Sequence, residues 1–299
     1  VPDLDFDRLR ELRAHRPEAV AEACARRRRR RVLDASGRLM LVAADHTARG
    51  MLSVRDRPLA MADRYDLLSR VVTALERPGV DGVLGTADIL EDLLLLGALE
   101  DKVVIASMNR GGLQRSVFEL DDRFTAYDAA AIARAGFDGG KTLTRIDLDD
   151  AGTVATLVAT ARAIDDLAAR GLIAMVEPFY ASRVNGKVSN DMSTEAVIRS
   201  VTISSGLGST SAYTWLKLPV VEGMADVMAA TTLPTLLLGG DPDESPDETY
   251  ATWEKALALP GVRGLIVGRT LLYPPDDDVA SAVDTATALV RARSGEGGS

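Results

Sequence analysis

Apolar residues along the chain fall into eight short, β-branched runs, each followed by a longer stretch with helical periodicity. The runs are RLMLVAAD (38–45), GVDGVLGT (79–86), KVVIASM (102–108), GFDGGKTLTRI (136–146), GLIAMVEP (171–178), AYTWLKLP (212–219), LPTLLLGG (233–240) and VRGLIVGR (262–269). Helices are predicted at 61–77, 87–100, 125–135, 151–170, 191–205, 222–231, 246–259 and 277–293. Most runs are hydrophobic throughout, the pattern of parallel strands covered on both faces. Strict alternation over eight repeats predicts a closed (β/α)8 TIM barrel over residues 38–293. The competing doubly wound sheet favours a G-x-G-x-x-G turn after its first strand, whereas the first loop reads DHTARGM. Residues 1–37 are predicted to form a helical extension across the bottom or side of the barrel, and 294–299, SGEGGS, a disordered tail.

Composition narrows the chemistry. The chain has 46% apolar and 26% charged residues, as in ordinary globular proteins, and its length suits one barrel with an extension. A single cysteine, Cys24, excludes an intramolecular disulfide, and the only histidines are His15 and His46. A His- or Cys-rich zinc site is therefore disfavoured, and with it metal-dependent hydrolysis or aldol chemistry. The net charge of −9 argues against a general nucleic-acid binder. The run Arg26–Arg31 is the exception; it is read as the solvated end of a helix, with nucleic-acid contact as the alternative. No run of about 18 apolar residues suggests a membrane partner. Asp3, Asp5, Asp7 and Glu11 count against a secretory signal, so a cytoplasmic location is expected.

In such a barrel the active site lies at the C-terminal ends of the strands. Polar residues there are Asp45 and His46 after strand one, Asn109 and Arg110 after strand three, and Lys141, Glu177 and Lys217 in strands four, five and six. Gly239 and Gly240 follow strand seven, and Gly268 and Arg269 strand eight. Lys217, within TWLKLP, is flanked by apolar residues. Burial there disfavours the ammonium and makes an amine available to attack a carbonyl and form a Schiff base. Adjacent strands bring Lys141, Glu177 and Lys217 together, the second ammonium lowering the proton affinity of the first. Glu177 is placed to shuttle protons through carbinolamine formation, imine hydrolysis and carbon–carbon cleavage. The structural alternative is a buried Lys–Glu–Lys ion network, which costs desolvation energy without a clear gain in stability.

The glycine turns after strands seven and eight let backbone N–H groups approach a ligand, and Arg269 adds a charged partner, which favours a phosphorylated substrate. Asp45, His46, Asn109 and Arg110 are candidates for substrate contact, with Gln114, Tyr180, Ser182, Arg183 and Lys187 as softer ones. The acidic stretch 241–248 is read as a helix start. Only five of the 35 basic residues are lysines, and two of them flank Glu177 along the chain of strands. Arginine stays protonated and forms no imine, so lysine at 141 and 217 has a chemical reason.

These residues resemble the class I (Schiff-base) aldolases of the deoxyribose-phosphate aldolase and tagatose-bisphosphate aldolase group. The resemblance runs from residue 38 to about 292 and is carried by AADHTARGM, GFDGGKTL, AMVEPF, TWLKLP, LLLGGD and IVGRTL. It implies a cofactor-free lyase with Lys217 as the Schiff-base nucleophile, Glu177 as general acid/base, and Lys141 tuning the site and contacting a substrate hydroxyl. Asp45 would orient substrate oxygens, and Gly239, Gly240, Gly268 and Arg269 would hold phosphate. It further implies a homo-oligomer that releases dihydroxyacetone phosphate and an aldehyde from a phosphorylated sugar or sugar acid. Candidate substrates are 2-deoxy-5-keto-gluconate 6-phosphate of inositol catabolism and a ketose bisphosphate. His46 and Thr47 stand where sugar-bisphosphate aldolases often carry Gln-Arg. A Schiff-base transaldolase, dehydratase or deoxyribose-phosphate-type aldolase is the alternative on the same barrel. A non-catalytic barrel binding nucleic acid or a partner through Arg26–Arg31 is the reading from a different class.

Overall fold

The computed structural model describes residues 4–109, 112–240 and 245–292. Arg110, the start of the acidic stretch and the tail at 294–299 lie outside the described residues. The strands are β1 (Leu39–Ala43), β2 (Gly82–Gly85), β3 (Val103–Ser107), β4 (Gly139–Ile146), β5 (Ile173–Val184), β6 (Lys187–Asn190), β7 (Thr214–Leu218), β8 (Thr235–Leu238) and β9 (Val262–Val267). All but β6 pair in parallel in the order β1-β2-β3-β4-β5-β7-β8-β9, and β9 returns to β1. The result is a closed (β/α)8 TIM barrel. The helices after its eight strands, Arg64–Glu76, Ala87–Leu95, Ala129–Arg134, Gly152–Ala168, Thr194–Ser205, Met224–Ala229, Pro246–Leu257 and Val279–Ala292, each lie within the range expected from periodicity. Four of them start where Asp63, Asp128, Ser193 or Ser245 accepts a backbone N–H of the first turn.

Strand side chains alternate between two cores. Met40, Val42, Val104, Val176, Leu216 and Leu265 face outward and pack with the helices. Leu39, Leu41, Ala43, Ile105, Ile173, Met175, Trp215, Leu236 and Ile266 form a cluster inside the barrel. Fully burying each aliphatic side chain contributes about 1.5–3 kcal/mol. Two-residue steps along this inner face lead from Ala43 to Asp45, from Met175 to Glu177 and from Trp215 to Lys217. The interior is thus apolar through its lower layers and charged at its mouth.

The N-terminal extension forms two helices, Phe6–His15 and Ala19–Arg26. The arginine run corrects the expectation of a solvated helix end. Only Arg26 is helical; the following residues leave the helix and form a strap at the N-terminal ends of the strands. Arg27 is buried and donates to the carbonyls of Lys102 (2.8 Å) and Gly136 (2.6 Å). Arg28 pairs with Asp101, Arg29 with Asp138 and Arg30 with Asp81 at 2.7 Å. Asp81 and Asp138 occupy equivalent places in the related phrases Gly79-Val80-Asp81-Gly82 and Gly136-Phe137-Asp138-Gly139. Each carboxylate also accepts the N–H of a neighbouring strand, from Met40 (2.7 Å) and from Val104 (2.8 Å). A Cβ on Gly82 or Gly139 would fall 1.9 or 2.5 Å from a carbonyl oxygen of the adjacent strand, so this close approach needs glycine.

A second correction concerns strand five. Its expected end at 178 is passed, and β5 continues to Val184, turns at Asn185-Gly186 and returns antiparallel as β6. Both turn residues have positive φ, 51° and 77°, the requirement of a type I′ hairpin. Ser182, Arg183 and Lys187, expected on a loop, are therefore hairpin residues, and Arg183 donates to the carbonyls of Gly186 and Val117. No helix among the described residues is long and apolar enough to cross a membrane.

Candidate active site

The inward positions at the top of β1, β4, β5 and β7 bring the predicted side chains together. Lys217 Nζ lies 2.7 Å from Glu177 Oε1, and Lys141 Nζ pairs with Glu177 Oε2. Lys141 also reaches Asp45 Oδ2 at 3.2 Å, an atom that accepts from Ser107 Oγ at 3.4 Å. All five residues are buried, Lys141 completely. Ammonium and carboxylate alternate in the order Lys217, Glu177, Lys141, Asp45, so four buried formal charges sum to zero.

Lys217, Glu177 and Asp45 open into a cavity of about 190 Å³. Gly239 and Gly240 from the loop after β8, Gly268 after β9, and Arg269 and Thr270 of the short helix Arg269–Leu272 line the same cavity, together with His46 and Arg49 after β1. A wider space of about 720 Å³ shares Gly239, Gly240 and Arg269 with it and is bordered by Gln114, Met192 and Trp253. Gly268 has a steric reason. A Cβ there would lie 2.4 Å from His46 Cε1 and 2.6 Å from the carbonyl oxygen of Ala43. The His46 ring is half-buried, with its Nδ1 enclosed and without a hydrogen-bond partner. Burial, then the charges of Arg269 and Lys217, push its pKa well below the ordinary histidine value, so the imidazole is neutral at neutral pH.

Two residues change standing. Asn109 is not at the cavity: its amide donates to the carbonyls of Asp122 (2.9 Å) and Leu143 (2.6 Å), and its Oδ1 accepts the Leu143 N–H. Fully buried, it ties the end of β3 to β4 and to the following loop. Arg49, absent from the expected set, lines the cavity while donating through Nε to the Gly112 carbonyl at 2.8 Å. It shares the cavity side with His46 because His46–Arg49 is one turn of 3-10 helix, in which positions three apart share a face. Asn190, another cavity residue, arrives on the hairpin. Among the described residues, no three His, Cys, Asp or Glu side chains are grouped to hold a metal ion.

A family model described as Cgl0159-like matches residues 37–287. The chain belongs to the Cgl0159-like family. The crystal structure of Cgl0159 from Corynebacterium glutamicum is 58% identical over 98% of this chain and 99% of that one, with a TM-score of 0.95. Beyond this Cgl0159 relative, an archaeal fructose 1,6-bisphosphate aldolase is 19% identical, covering 91% of this chain and 99% of its own, with a TM-score of 0.66. A Schiff-base-forming fructose-1,6-bisphosphate aldolase is 20% identical over the same shares, with a TM-score of 0.65. At those identities the likeness to the Cgl0159-like chain is one of fold. No curated protein matches the chain.

Proposed function

We propose that the protein is a class I aldolase acting on a phosphorylated keto sugar or keto-sugar acid. The carrying observation is the buried Lys217–Glu177–Lys141 arrangement at the mouth of the barrel. Its barrel likeness to Schiff-base-forming aldolases supports the reading. Lys217 gives a proton to Glu177, 2.7 Å away, and the free amine attacks the substrate ketone. Glu177 returns the proton to the carbinolamine oxygen, water leaves, and a protonated imine forms. The imine draws in the electron pair of the breaking carbon–carbon bond, an aldehyde departs, and an enamine remains. Protonation at carbon and hydrolysis then release the ketone and restore Lys217. Lys141, fully buried, holds Glu177 and Asp45 in place, and Asp45 presents its carboxylate to substrate hydroxyls. Gly239, Gly240, Gly268 and Arg269 would receive the phosphate.

Borohydride reduction in the presence of dihydroxyacetone phosphate, followed by peptide mass mapping, tests the mechanism. A reduced adduct on Lys217 is expected; an unmodified protein would overturn the reading. A screen of ketose phosphates and keto-acid phosphates for dihydroxyacetone phosphate release then identifies the substrate, with 2-deoxy-5-keto-gluconate 6-phosphate and ketose bisphosphates as the first compounds.

A further inference from the structure

Carbon–carbon cleavage frees a proton from the hydroxyl on the departing carbon, and a group in the cavity must take it. Glu177 has a lysine on each carboxylate oxygen. Asp45 also opens into the cavity, but its Oδ2 holds Lys141 and Ser107 and ties it into the ion chain. Arg49 and Arg269 remain cations at any working pH and neither accept nor release a proton. Among the described residues lining the cavity, His46 is the remaining titratable group and the one outside the lysine–carboxylate chain. Its position is built: the ring lines the cavity and sits against Gly268, where no side chain fits, with Nδ1 enclosed.

We propose that His46 is the catalytic base of carbon–carbon cleavage and the proton donor to the enamine. This rests on the aldolase reading. In the step, the hydroxyl proton passes to the imidazole and the O–H electron pair becomes the carbonyl π bond of the aldehyde. The carbon–carbon pair moves into the imine, which becomes the enamine. The imidazolium then protonates the enamine carbon and returns to neutral, so the histidine carries one proton between the two fragments and no other reactant is needed.

The surroundings give this base a dependence on substrate. Arg269, Lys217 and Lys141 oppose its protonation, and Glu177 favours it; Asp45 is its neighbour in sequence. After burial, Arg269 is the largest influence holding the proton off. A phosphate dianion seated on Arg269 offsets that charge, so substrate binding raises the basicity of His46 toward the range where general bases work best.

The test uses His46→Gln and His46→Asn in the full chain, with circular dichroism to establish folding. Expected are borohydride trapping of dihydroxyacetone phosphate at Lys217 as in the wild type, and a fall in kcat of about 10²–10⁴-fold. Deuterium exchange into bound dihydroxyacetone phosphate in D2O should fall in parallel. Unchanged kcat in folded variants that still trap would overturn the role of His46, as would loss of trapping, which would place His46 before the imine. Absence of trapping in the wild type would instead remove the aldolase reading. The chain has two histidines, so the His46 ring proton resonance is assigned directly by its loss in the variant. Inorganic phosphate should shift its titration to higher pH in the wild type, and a midpoint unmoved by saturating phosphate would overturn the coupling.

Discussion

Glu177 carries two cations on one carboxylate, and this single residue couples folding to the proposed chemistry. Replacing it by Gln removes the carboxylate that pairs with both buried lysines. Breaking a buried pair costs about 3–5 kcal/mol, so Glu177→Gln should lower the urea midpoint accordingly and slow trapping at Lys217. Lys217→Arg keeps the charge but removes the amine that forms an imine. It should abolish the borohydride adduct and reduce turnover by about 10³-fold or more, while the far-ultraviolet spectrum is retained. His46 makes a pH-dependent contribution. Its folded pKa lies well below 6.5, so between that folded value and 6.5 the unfolded chain binds a proton that the folded chain does not. Stability is therefore full above about pH 6.5 and declines as the pH falls below it. Urea titrations of wild type and His46→Gln should diverge in this sense between pH 7.5 and 5.5; parallel curves would contradict it.

Among the elements, the β5–β6 hairpin has the clearest separable role, because Phe179 and Asn190 on it line the cavity while its turn is exposed. Gly186→Val places a β-branched residue at φ 77°, at a cost of about 1–2 kcal/mol. The cost should appear locally: faster amide exchange over 181–190 and a raised KM, with the global unfolding midpoint little changed. The hairpin was legible as Asn-Gly between strand-like residues, the strongest short-range hairpin signal. The residues around it lack the unbroken hydrophobicity that marks the barrel strands, so the strand pattern by itself stops at 178. Strand five changes character at its exit from the core, from the buried Ile173–Phe179 to the exposed Arg183 and Val184.

At the scale of the molecule, the two ends of the barrel use charge differently. The mouth holds an alternating lysine–carboxylate chain facing a cavity, while the base holds an arginine strap closed on Asp81 and Asp138. Asp81 joins three distant parts, accepting from Arg30, from Arg291 on the last helix at 2.6 Å, and from the Met40 N–H. Asp81→Ala should cost about 3 kcal/mol, measured by chemical denaturation, because two part-buried guanidinium groups lose their nearer carboxylate and keep only the more distant Asp34 among the ion pairs described. Trapping at Lys217 should survive at temperatures where the variant is folded, since Asp81 is at the opposite end of the strands. The eight-fold alternation, the positions of the helices and the placing of Lys141, Glu177 and Lys217 on adjacent strands followed from sequence alone. Those features depend on periodicity and strand order, which the backbone imposes locally and a barrel repeats. Only the tertiary structure decided that Asn109 is spent on its neighbours while Arg49 reaches the cavity, and that the arginine run closes on the barrel. These depend on the paths of loops and on which opposite charge lies across a gap, and such distances are set by the packing of segments far apart in the chain.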